Sequence, residues 1–272
     1  MIDYRGKTVL ITGASSGLGA AFARALAARG AASLLVARSE DKLDALARSL
    51  AAGGASALAL PADLARPGVA AGLAEELARR GRAVDILINS AGFATYGPFE
   101  GLAPEREQEE IALNVAAPVA LTRALLPGML DRGFGAVVNV ASIASFQPVP
   151  YMAVYGATKA FVLSFSEALW AEGRRRGVRV LALCPGPVDT AFFDVVGAEE
   201  ARLGKKASPE SVVEAALRAL SRGKSYVIPG RGNYVMSNAS RLAPRSLVAS
   251  MSERAMRPRG RGKLPAAGAA LL

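Results

Sequence analysis

The sequence contains no histidine. Ser-His-Asp and Cys-His nucleophilic machinery and His-ligated metals are therefore excluded, and acid-base chemistry near neutral pH falls to tyrosine, lysine, carboxylates or a cofactor. There is one cysteine, Cys184, too few for an internal disulfide or a thiolate zinc site, so no metal is expected. Aromatic residues make up 6 % of the chain. Stacking platforms are correspondingly few, and no specific nucleic-acid partner is expected. No charged-then-apolar leader opens the chain, and no unbroken run of about 18 apolar residues occurs, which gives the expectation of a cytoplasmic protein.

What is present points to one large α/β domain: 272 residues, 51 % of them hydrophobic, with no shift in composition that would mark a second domain. The net charge of +10 is unevenly placed: residues 201–272 carry 14 Lys and Arg against 3 Glu, while the preceding 200 are close to balanced. The basic end reads either as a solvated tail or as a surface for acidic lipid headgroups or another polyanion.

Strand and helix patterns alternate along the chain. Lys7–Thr12, Ser33–Ala37, Ala55–Leu60, Val84–Ile88, Ala136–Val140, Val178–Cys184 and Ser225–Ile228 read as strands. Between them, helical patterns cover Ala20–Arg29, Glu40–Ala52, Gly68–Arg80, Pro104–Leu130, Met152–Arg176 and Ser208–Arg222. Such alternation implies βαβ crossovers and a Rossmann-like, doubly wound parallel sheet of about seven strands. Ligands in such sheets sit beyond the carboxyl ends of the strands, so the residues that follow each strand should converge on one cleft.

The first of these ends reads Thr12-Gly13-Ala14-Ser15-Ser16-Gly17-Leu18-Gly19. A glycine-rich turn opening a helix presents unpaired amides at the positive end of the helix dipole, which suits a phosphate. The spacing lacks a P-loop lysine, so a nucleotide cofactor is favoured over ATP. Arg38 stands where an NAD-preferring site would carry an acidic residue, and with Ser15 it suits the 2′-phosphate of NADP(H). Asp63 and Leu64 are placed for the adenine amino group and ring face, or Asp63 for a helix cap. Tyr155 and Lys159 are four apart, on one face of a helix, so the ammonium can approach the phenol and lower its pKa. Ser142 follows a strand end and can hydrogen-bond a carbonyl. Pro118 removes the amide that would bond the Asn114 carbonyl, which either frees that carbonyl for a water near Lys159 or bends the helix.

These motifs together resemble the short-chain dehydrogenase/reductase family over roughly residues 5–190. The glycine turn resembles the cofactor motif, with Gly13, Ser15, Ser16, Gly17, Leu18 and Gly19; Asn89-Ser90-Ala91-Gly92 resembles the family's N-N-A-G, with Ser90 departing from it; Asn114, Ser142, Tyr155 and Lys159 resemble the catalytic tetrad. The resemblance implies cofactor contacts from Asn89, Ala91, Gly92, Tyr155, Lys159, Pro185, Gly186, Val188 and Thr190. It implies Tyr155 as proton donor, Ser142 orienting the carbonyl, Lys159 on the nicotinamide ribose, and Asn114 supporting a water. It also implies a homodimer or homotetramer built on the two long helices, and a lid after Thr190. Phe192 and Phe193 in that lid, with Phe146, Val149 and Tyr151, read as an apolar pocket for a small-molecule carbonyl or alcohol such as an acyl, aromatic or steroid-like compound.

The expected layout is a catalytic domain over 1–230, a helical extension over 231–256 and a disordered basic tail over 257–272. In the extension, Leu247, Val248, Met251 and Ala255 fall near one face of a helix over Arg245–Met256, which could cap the pocket, pair subunits or rest on a membrane surface. A catalytically idle NADP-sensing or polyanion-binding protein on the same fold is the alternative; the joint presence of Ser142, Tyr155 and Lys159 weighs against it.

Overall fold

A computed structural model describes residues 2–192, 196 and 206–258. Seven parallel strands form one sheet: β1 (Thr8–Thr12), β2 (Ala32–Ala37), β3 (Ala57–Pro61), β4 (Ile86–Asn89), β5 (Gly135–Val140), β6 (Val178–Leu183) and β7 (Tyr226–Val227). Their order across the sheet is β3-β2-β1-β4-β5-β6-β7. The chain starts at the middle, winds out to β3, then returns past β1 to build the other half. The switch point lies between β1 and β4, where the carboxyl ends leave a crevice.

Both faces of the strands are apolar because both are covered. In β1, Val9 and Ile11 point to the layer formed by α1 (Gly17–Ala27), α2 (Glu40–Ala52) and α7 (Pro209–Ser221), where Phe22, Leu26, Leu43 and Leu217 are buried. Leu10 points the other way, to α3 (Val69–Arg79) and α5 (Ala117–Asp131), beside Leu77, Leu121 and Met129. The period-2 alternation of a strand thus serves two cores. On the second face, α6 (Ala153–Gly173) packs Val162 and Leu163 against Ala182 and Cys184.

Of the places where the elements differ from the sequence expectation, three change more than an end by a residue or two. Helix α1 starts at Gly17, so two glycines of the turn lie inside its first turn. The strand expected over Ser225–Ile228 pairs only at Tyr226 and Val227, at the sheet edge. The long segment expected as one helix is α4 (Pro104–Ile111), a wider π turn over Ala112–Ala116, and α5. Pro118 cannot donate to the Asn114 carbonyl, and its ring crowds that carbonyl; the helix answers by taking up an extra residue in the turn before it. By length and composition Pro104–Asp131 could cross a membrane. Here its Leu121 and Met129 are fully buried in the core beside the sheet.

The extension forms α8 (Arg231–Ala239) and α9 (Arg245–Met256). In α9 the buried edge is Val248 and Met256, while Leu247, Met251 and Ala255 face outward. The apolar stripe read from the sequence is therefore split, Val248 inward and its neighbours outward. The tail from 259 onward lies outside the described residues.

Candidate active site

The turn after β1 is built around missing side chains. Gly13 has φ +67°, a region that glycine enters without strain, and a Cβ there would come within 2.9 Å of the Ala91 backbone. At Gly19 the constraint is space: a Cβ would lie 2.2 Å from the Gly13 carbonyl oxygen, so the helix can press onto the strand end only because the position is bare. Beneath the turn, the Thr12 hydroxyl accepts from the amides of Ser90 and Ala91, both at 3.0 Å. Ser90 thus joins the site through its backbone, which its side chain does not alter. Asn89, expected at the cofactor, is instead a tie between strands: its amide donates to Asn139 Oδ1 at 2.8 Å, and Asn139 donates to Ser166 Oγ at 2.9 Å.

A cavity of about 450 Å³ runs along the strand ends. Gly13, Ser15, Ser16, Gly17, Leu18, Asp63, Leu64, Ala91 and Gly92 line one part of it, and Pro185, Gly186, Val188 and Thr190 another. Gly19 packs underneath. Gly186 is bare for a reason outside the motif: a Cβ there would meet the Asn233 side chain of α8 at 2.4 Å. Asp63 accepts from the Ala65 amide at 3.2 Å in a turn while facing the cavity; it does not cap α3, whose N-cap is Gly68. At one end Ser15, Arg38, Ser39 and Lys42 come together. Arg38 lies 3.4 Å from Glu109 and is partly exposed. Ser39 and Lys42 were not singled out in the sequence; their signal was position, the N-cap of α2 and its first turn, directly behind Arg38. Two cations and two hydroxyls at a helix start, joined to a glycine cradle, fit a dinucleotide that carries an additional phosphate.

At the other end stand Ser142, Tyr155 and Lys159, all lining the cavity. Ser142 caps a short 3₁₀ turn over Ile143–Phe146, its Oγ accepting from the Ala144 amide at 3.1 Å. Ser145 in the same turn donates to the Lys159 carbonyl at 2.7 Å, fixing the turn to α6. Lys159 is buried and donates to the Val140 carbonyl at 2.8 Å, with its Nζ 5.7 Å from the Tyr155 ring centre. The expected lowering of the Tyr155 pKa by Lys159 is not what this arrangement gives. Burial pushes the phenol up to about 12, opposed chiefly by the Ser142 hydroxyl, and burial also lowers Lys159 to about 8.

Asn114 lies behind these groups, in the π turn, and does not line the cavity. Its amide donates to the Phe93 carbonyl at 2.9 Å and to Thr158 Oγ1 at 3.1 Å, and its Oδ1 accepts from the Phe93 amide at 3.2 Å. It stitches the segment after β4 to α6. One helical turn earlier is Glu110, with no exposed surface. Its Oε2 accepts from both the amide and the hydroxyl of Thr95, each at 2.9 Å, while Oε1 is buried without a hydrogen-bond partner. Burial raises this carboxyl to about 7. The unfolded chain gives up that proton near the ordinary 4.5. Stability from the neutral carboxyl is thus present below about 4.5 and is lost as pH rises to about 7, on the order of 3 kcal/mol in all.

The substrate end is apolar. Val149 and Phe192 line it as expected, with the Phe192 ring 5.7 Å from that of Tyr155. Met152 and Met256 complete it. Met256 arrives from the end of α9, held by the Tyr96 hydroxyl, which donates to its carbonyl at 2.7 Å; Tyr151 Oη likewise donates to Glu253 at 2.7 Å. Two expected wall residues serve elsewhere. Tyr151 is turned to α9 from a backbone at φ +64°, and Phe146 packs on Tyr226 with ring centres 6.0 Å apart. Phe193 lies outside the described residues.

Comparison with known proteins agrees with this geometry. The family model for short chain dehydrogenase matches residues 7–201. The chain belongs to the short-chain dehydrogenase family and is an NAD(P)-dependent oxidoreductase. Among its relatives is the ketoacyl reductase HetN of Nostoc sp., 35 % identical over 229 residues, covering 84 % of this chain and 80 % of that one. A short-chain dehydrogenase from Sphingobium yanoikuyae, solved in complex with NADPH, is 37 % identical with a TM-score of 0.80, covering 97 % of this chain and 98 % of that one. The bulky-bulky ketone specific alcohol dehydrogenase from Comamonas testosteroni is 29 % identical with a TM-score of 0.74, covering 97 % of each chain.

Proposed function

We propose that this protein reduces a bulky, apolar ketone or aldehyde with NADPH, Tyr155 serving as the proton donor. One observation carries the reading: Tyr155, Ser142 and Lys159 meet at the apolar end of a cavity whose far end gathers Arg38 and Lys42. Arg38 and Lys42, with Ser15 and Ser39, would hold the 2′-phosphate. The amides after Gly13 would face the pyrophosphate, and Lys159 the nicotinamide ribose. The cofactor, when bound, supplies the hydride for the carbonyl carbon. Ser142 orients the carbonyl oxygen by its hydroxyl, and Tyr155 gives that oxygen its phenolic proton, so the product is the alcohol. A phenol pushed up to about 12 stays protonated at neutral pH, which suits an acid in the reducing direction. An idle cofactor sensor would not need these groups to converge.

The substrate class rests on Val149, Met152, Phe192 and Met256 and on the relatives named for ketoacyl and bulky-ketone chemistry. Ile111 and Phe161, exposed on the two long helical segments, suit a homodimer or homotetramer formed there. Leu247 and Met251, exposed on α9, in a segment that a basic stretch follows in the sequence, suit contact with an anionic membrane surface. The test of the activity is NADPH consumption with a long-chain 3-ketoacyl thioester, a diaryl ketone and a small aliphatic ketone. The expected result is kcat/KM at least about tenfold higher for a bulky ketone than for the small one. Equal or reversed rates would remove the substrate assignment.

A further inference from the structure

Glu110 is a buried ionisable group near the site that the reaction as derived does not use. It lies in a run, Pro104-Glu-Arg-Glu-Gln-Glu-Glu-Ile111, whose composition suggests a solvated face. Instead it sits with no exposed surface. Its surroundings form one connected cluster. Glu110 and Asn114, one turn apart, both grip the segment after β4: Glu110 holds Thr95 by amide and hydroxyl, and Asn114 holds Phe93 by amide and carbonyl. That segment begins at Gly92, where an added Cβ would lie 2.8 Å from Asn114 Oδ1 and 3.4 Å from Lys159 Nζ. The carboxyl is therefore tied, through one short strap, to the wall against which the Lys159 ammonium lies.

We propose that Glu110 is a positioning residue for the cofactor-binding lysine: its buried carboxylate fixes the Gly92–Thr95 strap and acts as the counter-charge that keeps Lys159 an ammonium. This rests on the reading of Lys159 as a ribose ligand. The charged and titratable groups around it are Glu107 on its own helix and, from α6, Lys159 and Tyr155. Glu107 disfavours a second negative charge, and Lys159 favours it. Conversely, ionised Glu110 supports the charge on Lys159, which burial would otherwise remove. Carboxylate and ammonium each favour the charged form of the other, Glu110 with no exposed surface and Lys159 at the cavity wall.

The experiment is NADPH affinity by cofactor fluorescence from pH 6 to 10, which needs no substrate, on wild type, Glu110→Gln and Thr95→Val. Gln keeps an acceptor for Thr95 but carries no charge; Val removes one of the two bonds to the carboxylate. In wild type the affinity should weaken as pH rises through about 8, where Lys159 loses its proton. For Glu110→Gln that midpoint should fall by about one pH unit, and for Thr95→Val by less, in the same direction. A melting temperature above wild type at pH 8, with the gap closing at pH 5, would show that Glu110 is ionised in the folded protein at the higher pH. Superimposable affinity curves for wild type and Glu110→Gln, or no pH-dependent melting gap, would overturn the inference. If wild type binds NADPH tightly with no dependence on pH in this range, the role of Lys159 itself fails, which separates the two.

Discussion

Tyr155→Phe should lower kcat for carbonyl reduction by about 10³-fold, within the range that a positioned general acid supplies, while leaving NADPH affinity within about twofold of wild type. The ring is retained, so its contact with Phe192 at 5.7 Å survives. Only the hydroxyl is lost, and with it the transferable proton and the bond to Ser142. The phenol lines the cavity and its hydrogen-bond partner is the Ser142 hydroxyl within the site, so the variant should also melt close to wild type. Steady-state rates and cofactor fluorescence on the same preparation check this. A variant with near-normal turnover would mean that another group delivers the proton. With no histidine in the chain, Lys159, lining the same cavity, would be the first group to test.

The second large effect is expected at the opposite end of the cavity. Arg38→Asp should reduce the NADPH over NADH preference in kcat/KM by about 10²-fold, since it replaces a charge-assisted bond to the 2′-phosphate by a repulsion. Glu109, 3.4 Å from Arg38 in the wild type, would then keep only its pair with Arg106 and add a carboxylate on the same side. Lys42→Ala should move the ratio the same way, but less, because it removes attraction without adding a negative charge. The ratio measured with both cofactors on one substrate checks the assignment. An unchanged ratio in Arg38→Asp would place the phosphate elsewhere.

The parts of this site that could be read from the sequence are those with a local signature. Gly13 and Gly19 announce a turn because no other residue fits there, and Tyr155 and Lys159 announce a pair because a helix brings positions four apart together. The alternation of buried strands and amphipathic helices gave the sheet in the same way. What escaped was settled by contacts between distant segments. Glu110 looks like one more charge in an acidic run, and only the arrival of Thr95 makes it a buried clamp. Phe146 and Tyr151 look like pocket walls, yet Tyr226 and Glu253 draw them away, and Met256 takes the place from over 100 residues further along the chain. The Tyr155 pKa was misjudged for a related reason. Spacing shows that Lys159 is near, but burial raises the phenol, the hydrogen bond that opposes it comes from Ser142, and Lys159 spends its own bond on Val140.

The most direct test of the central claim is the fate of the hydride and of the proton in a single turnover. The protein would be given NADPH deuterated at the transferring position, with the preferred bulky ketone in ordinary water, and the alcohol analysed by mass spectrometry and NMR. The account predicts an alcohol carrying deuterium on the carbinol carbon with no loss to solvent, and its formation all but abolished in Tyr155→Phe. Deuterium washed out into water, or the same alcohol formed at an undiminished rate without the phenol, would contradict it.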